Sequence, residues 1–239
     1  MIARTPRSWL IVPAHKPTDI AAAARSGADA IVVDLVEFVP EEGKAAARAK
    51  ALDAIEAARA SGAAVFVQTA PDALQADLPA CVSPGLAGIV ISRVESASQI
   101  MEASTLLARL EREQGVPPDT LEIVAAVESA RGNHAAHEIA GASPRVTGLT
   151  LGRADLVMDL RAEPSGEIHL MQYLMQRLII IAGVAGVTPI GAWWRAPDRG
   201  LLATPENTLA AAQRGRSIGF TGAMCLRHEQ VGPLNQAYA

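Results

Sequence analysis

Two carboxylates carry the sharpest chemical signal in this chain. Glu128 closes the apolar run LEIVAAVE, and Asp155 follows the run VTGLTLG. Short apolar runs rich in β-branched residues and bounded by turn residues read as strands buried on both faces, as in a parallel sheet. The helical pattern between them makes a βαβ unit, whose two strands end at the same edge of the sheet. Both acids then emerge where α/β folds bind their ligands. Converging carboxylates there suit a hard divalent cation, Mg²⁺ first and Mn²⁺ second, with substrate oxygens and water completing its coordination. A plainer alternative stays open. Glu128 could be a first-turn acid favoured by the helix dipole, and Asp155 a helix N-cap.

The rest of the chain must supply the elements that hold these acids. Ser8–Val12 reads as a first strand, stopped at Pro13, with His15 and Lys16 in the turn. Pro17 opens a helix that ends at Gly27. The second strand, DAIVVDL, delivers Asp34 and, just beyond it, Glu37; a long helix over 41–60 follows. The third strand, AAVFVQT, ends on Gln68 and Thr69, and a short helix spans about 72–80. The fourth, LAGIVISR, ends near Ser92 and Arg93, before an amphipathic helix from Ser96 to Gln114. Beyond the sixth strand lie RADLVMDL and a loop, then a helix from Ile168 to Ala185. The seventh strand, VTPIGAW, runs out into Trp193, Trp194 and Arg195. A helix from Pro205 to Ile218 leads to the eighth, TGAMCL, which exits into Arg227, His228 and Glu229; the tail is at most a short helix.

Eight strands alternating with helices define an α/β chain, read as a single (β/α)₈ barrel with residues 1–239 forming one catalytic domain. The competing fold, a doubly wound open sheet, lacks support because no GxGxxG or GxxxxGK[ST] motif occurs. The strand exits place His15, Asp34, Glu37, Gln68, Ser92, Arg93, Glu128, Arg131, Asp155, Trp193, Arg195, Arg227 and His228 around one mouth. Acids and bases alternating there suit an anionic substrate held against a metal.

Composition narrows the function classes. The chain has 239 residues, a formal charge of −4 and no long basic run, which argues against nucleic acid as a partner. Its two cysteines, Cys81 and Cys225, are far apart without metal-ligand spacing, so neither a zinc site nor a disulfide framework is expected. The apolar run LIIIAGVAGV is too short to span a bilayer and the N-terminus lacks a leader pattern, so a soluble, cytoplasmic protein without membrane partners is expected.

Five ordered stretches look familiar together: RSWLIVPAHKP, GADAIVVDLVEFVPEEGKAAAR, VESARG, LGRADLVMDL and GFTGAMCLRHEQV. They resemble the citrate lyase beta-subunit and malyl-CoA lyase family, including its looser relatives the 4-hydroxy-2-oxo-acid aldolases, over nearly the whole chain. The resemblance implies a (β/α)₈ enzyme that cleaves or forms carbon–carbon bonds in 3-hydroxyacyl thioesters. It also implies Glu128 and Asp155 as Mg²⁺ ligands and Asp34 as the first acid of the family's DLED motif, and matches Arg131 to the arginine of ETARG. A homo-oligomer, trimer or hexamer, is expected on the same ground.

The departures from the family pattern are specific. Gln68 stands where the family has an arginine that grips the oxo-acid fragment, and the last two DLED positions are Val36 and Glu37. The glycine and arginine of PGxRP are Ala14 and Lys16, and Gly191 replaces the acid of PIDG. His228-Glu229 stands for the family's histidine-proline pair. The chain is expected to be C-terminally short, stopping at Ala239 before the family's DGxMID segment.

The leading expectation is therefore a Mg²⁺-dependent lyase of the retro-aldol or Claisen type. It would act on a citryl-, malyl- or citramalyl-like thioester, with an oxo acid and a CoA thioester as small-molecule partners. Asp34 is the first candidate for general base and His15 the second; Glu37 joins them, and Gln68, Arg93, Arg131 and Trp193 are candidates for binding substrate. Two alternatives remain open: a metal-dependent aldolase on free 4-hydroxy-2-oxo acids, and a non-catalytic accessory barrel.

Overall fold

The computed structural model describes residues 5–161, 164–192 and 204–239. Eight parallel strands close into a barrel in sequence order: β1 (Ser8–Pro13), β2 (Ala30–Asp34), β3 (Ala64–Thr69), β4 (Gly88–Ile91), β5 (Glu122–Val127), β6 (Val146–Leu151), β7 (Thr188–Ala192) and β8 (Gly222–Cys225), with β8 pairing back onto β1. The barrel expected from the sequence pattern is the one observed.

Alternation along each strand sorts the core into two layers. Trp9, Ile11, Ala30, Val32, Phe66, Val90, Val124, Ile190 and Met224 fill the interior. There the rings of Trp9 and Phe66 meet at 4.8 Å between centroids. The intervening residues, such as Ile31, Val65, Ile89, Ile123 and Leu149, point outward against the helices. At Gly88 the neighbouring strand comes so close that an added Cβ would lie 2.2 Å from the Glu122 carbonyl oxygen, so this position admits only glycine.

The helices are α1 (Pro17–Ala24), α2 (Lys44–Ala49), α3 (Ala51–Arg59), α4 (Leu74–Asp77), α5 (Ala97–Gln114), α6 (Ala130–His134), α7 (Ala136–Gly141), α8 (Arg153–Leu160), α9 (Pro164–Ala185), α10 (Pro205–Ile218) and α11 (Val231–Ala237). Several differ from the sequence pattern. The long helix over 41–60 is a 3₁₀ turn followed by two helices, broken at Lys50, whose N–H bonds back to Ala47 rather than one residue further. The fourth strand is shorter than LAGIVISR, because Ser92 and Arg93 already belong to the turn that leaves the barrel. RADLVMDL, to which the apolar pattern assigns no element, is helix α8, and α9 starts earlier than Ile168, at Pro164, a residue suited to the first helical position. Among the described residues no helix is long and apolar enough to cross a membrane.

The two ends of the barrel differ in chemistry. At the N-terminal end Arg7 grips Asp29 through two nitrogens at 2.7 and 2.9 Å. Ser8 Oγ bonds Asn235 Oδ1 at 2.7 Å, which ties β1 and β2 to α11. A cavity of about 510 Å³ opens at this end, lined by Trp9, Glu122, Val124, Gly148 and Thr188. Glu122, which accepts the Thr147 hydroxyl at 3.0 Å, is the one titratable group among the described residues that line it. A group of carboxylates gathers at the opposite, C-terminal end of the strands, the end where barrel enzymes place their sites.

Candidate active site

At the end of β2 the chain folds over Asp34. This buried carboxylate accepts the N–H groups of Val36 and Glu37 on Oδ1 at 3.0 and 3.1 Å, and that of Phe38 on Oδ2 at 2.8 Å. An aspartate bonding the backbone just ahead of it pins a turn that would otherwise be free. The pinned turn carries Glu37.

Glu128 follows directly on β5. Ser129 then caps α6, accepting the Gly132 N–H at 3.1 Å while its hydroxyl donates to Glu95 at 2.7 Å. Glu128 Oε2 accepts the backbone N–H of Arg93 at 2.9 Å. Arg93 adopts φ 52°, a left-handed conformation uncommon outside glycine, and this turn aims its N–H at the acid. Gly152 lies on the other flank. A Cβ there would come 2.5 Å from Glu128 Cγ, so glycine leaves the space the glutamate occupies.

Asp155 is not at a strand end, as the apolar pattern implied, but in the first turn of α8. The expected alternative of a helix N-cap is not what is seen, because Asp155 is the third residue of α8 and Gly152 precedes the helix. Carboxylate oxygens of Glu37, Glu128 and Asp155 all lie within 4.8 Å of one another. A cation with oxygen ligands at about 2.1 Å separates opposite ligands by roughly 4.2 Å, so small side-chain rotations would close these three on Mg²⁺ or Mn²⁺. The donor set, hard oxygens only, fits such a cation. From the sequence Glu37 grouped with Asp34; in the fold it joins the expected metal pair.

The other expected residues are distributed unevenly. Gln68 and Ser92 are buried and bonded to each other, Gln68 Nε2 donating to Ser92 Oγ at 2.8 Å. His15 is half-buried at the exit of β1, and its Nδ1 has no hydrogen-bond partner among the described residues. Arg93 contributes its backbone here, while its side chain is exposed. Arg131 lies on the surface of α6 with its side chain 79% exposed, 3.9 Å from Glu95. His228 is exposed in a 3₁₀ turn, 3.5 Å from Glu229. Trp193, Trp194 and Arg195 lie outside the described residues. Two contributors escaped the sequence reading: Gly152, signalled only by a glycine next to a strand end, and Ser129, a capping residue directly after an acid.

A closed parallel barrel with acids gathered at its C-terminal mouth defines the class, a (β/α)₈ fold with an enzyme-like rim. Within that class the chain belongs to the HpcH/HpaI aldolase/citrate lyase family, whose model matches residues 7–228. A citrate lyase subunit beta-like protein of Deinococcus radiodurans is 31% identical, over 97% of this chain and 79% of that one. The L-malyl-CoA/beta-methylmalyl-CoA lyase of Cereibacter sphaeroides is 25% identical, over 99% of this chain and 80% of that one. The fold is that of a citrate lyase beta subunit from M. tuberculosis, solved with oxaloacetate and magnesium. It aligns with a TM-score of 0.75 at 24% identity, over 97% of this chain and 96% of that one.

Proposed function

We propose that this chain is a divalent-metal-dependent carbon–carbon lyase that splits a 3-hydroxyacyl thioester into an oxo acid and a shorter acyl thioester. The observation that carries the reading is the meeting of Glu37, Glu128 and Asp155 at the barrel mouth. The names of its relatives, a malyl-CoA lyase and citrate lyase beta subunits, support the thioester and the oxo acid. The magnesium and oxaloacetate of the structural relative support the metal. Glu128 and Asp155 would hold Mg²⁺, or Mn²⁺ in its place, with Glu37 as a third acid; when bound, the cation neutralises charge developing on substrate oxygens.

The protein's own groups have distinct tasks. A base removes the proton of the 3-hydroxyl; the carbon–carbon bond breaks, and its electron pair passes to the thioester fragment as an enolate that is then protonated. We assign proton acceptance to His15 ahead of Asp34. The ordering rests on hydrogen bonding: three backbone donors already occupy the oxygens of Asp34, whereas His15 Nδ1 is uncommitted among the described residues. Asp34 then acts as a positioning residue that holds Glu37 in place.

Calorimetric titration with Mg²⁺ and an oxo acid (glyoxylate, pyruvate or oxaloacetate), with and without acetyl-CoA, tests the reading. Metal-dependent oxo-acid binding that strengthens with acetyl-CoA is expected. Oxo-acid binding indifferent to acetyl-CoA would favour an aldolase of free 4-hydroxy-2-oxo acids. Metal binding without any oxo-acid response would favour an accessory barrel.

A further inference from the structure

One polar pair in the barrel interior has an unspent hydrogen-bonding atom. Gln68 follows the interior residue Phe66 by two positions on β3, and Ser92 follows Val90 by two beyond β4, so both side chains continue the inward-facing columns. They are 3% and 1% exposed. Ser92 Oγ holds the amide nitrogen of Gln68 at 2.8 Å, which leaves Oε1 buried with no partner among the described residues. Buried carbonyl oxygens are nearly always satisfied in a working protein, so an oriented, uncommitted one in a binding mouth calls for a donor from the ligand.

The surroundings define that donor. Gln68 is the register partner of Asp34, and Ser92 directly precedes Arg93, whose N–H holds Glu128. The pair thus sits between two of the acids, is itself uncharged, and presents an acceptor. A carboxylate placed there would meet the acceptor Oε1 and gain no charge partner from the uncharged pair. A hydroxyl would donate to Oε1 at little desolvation cost.

We propose that Gln68, held by Ser92, selects for an uncharged hydroxyl-bearing substituent on the oxo-acid fragment and against a second carboxylate. This rests on the metal-dependent oxo-acid reading above. It deepens that reading by naming the substrate class as hydroxylated 2-oxo acids rather than dicarboxylic ones.

The test is calorimetric titration of the full chain in Mg²⁺ with pyruvate, hydroxypyruvate and oxaloacetate. Hydroxypyruvate is expected to bind about ten- to a hundredfold tighter than pyruvate, and oxaloacetate more weakly than hydroxypyruvate. Gln68→Ala should erase the hydroxyl preference, and Gln68→Arg should turn it towards oxaloacetate. Ser92→Ala, a smaller change that leaves the amide but frees its orientation, should narrow the preference even where the Gln68 variants fold poorly. Equal affinity for pyruvate and hydroxypyruvate, or a preference unchanged in Ser92→Ala and Gln68→Ala, would overturn the proposal while leaving the metal reading intact. If no probe binds in Mg²⁺, that reading and this one fall together.

Discussion

Two buried glutamates at opposite ends of the same pair of strands show how one residue type serves two purposes. Glu111, on α5 below the start of β5, is 1% exposed and fully engaged. Arg145 donates to its two oxygens at 2.7 and 2.6 Å, and the N–H groups of Asp119, Thr120 and Leu121 add three more bonds. Arg145 itself precedes β6, so the ion pair pins the beginnings of both strands. Burial pushes the Glu111 carboxyl upward, but the bonds from Arg145, Leu121 and Asp119 outweigh it, and the net position is below the usual 4.5. Glu128, at the other end of β5, is 8% exposed and faces Glu37 and Asp155. One acid is surrounded by donors and holds the fold together. The other is gathered with like charges, an arrangement that favours a cation over closure of the core.

The largest expected effect breaks the first member of the comparison. Glu111→Gln leaves Arg145 buried without its principal counter-charge and should cost about 3–5 kcal/mol in urea unfolding at neutral pH, with Mg²⁺ affinity of the folded fraction unchanged. A loss under 1 kcal/mol would mean the pair is not the clasp described. Second in size, Glu128→Gln should weaken Mg²⁺ binding about a hundredfold by calorimetry, roughly 2.7 kcal/mol, with little change in metal-free stability. A variant with unchanged metal affinity but lower stability would reverse the two roles.

Acid sharpens the contrast further. The folded pKa of Glu111 is depressed, so its contribution to stability is full above the unfolded value of 4.5 and is lost as pH falls through the lower, folded value. Unfolding free energy should therefore drop more steeply between pH 5 and lower pH in the parent than in Glu111→Gln; equal slopes would show that Glu111 is not the group responsible. Gly152→Ala is next, because its methyl must displace Glu128: metal affinity should fall about tenfold with the fold retained, read by the same titration. The smallest effect belongs to Arg93→Gly, which keeps the backbone donor to Glu128 and suits φ 52° better. Metal affinity within about twofold of the parent is expected; a larger loss would give the guanidinium a role at the site.

Much of the molecule was legible in the residues alone. Apolar runs of strand length alternating with helical periods are enough for a parallel barrel, since each strand must be buried on both sides and each crossover must return across the outside. The same pattern places Asp34, Gln68 and Glu128 at one rim, because a strand's last residue lies at the sheet edge whatever follows it. Local periodicity could not reach the contacts between those ends. That Glu37 turns back to join Glu128 and Asp155 depends on three backbone bonds to Asp34. Likewise, the Arg93 N–H meets Glu128, 35 residues away in sequence, from a turn beyond β4 in which Arg93 adopts φ 52°. The pairing of Gln68 with Ser92 requires two neighbouring strands in register, and the clasp of Glu111 by Arg145 joins a helix to the foot of a strand many residues away. The sequence by itself determined that Asp34 and Glu128 stand at the ends of their strands, because strand periodicity is a local property. Only the tertiary structure decided that Glu37 and Asp155 meet Glu128, and which buried polar atoms lack a partner among the described residues, because those depend on distances across the closed barrel.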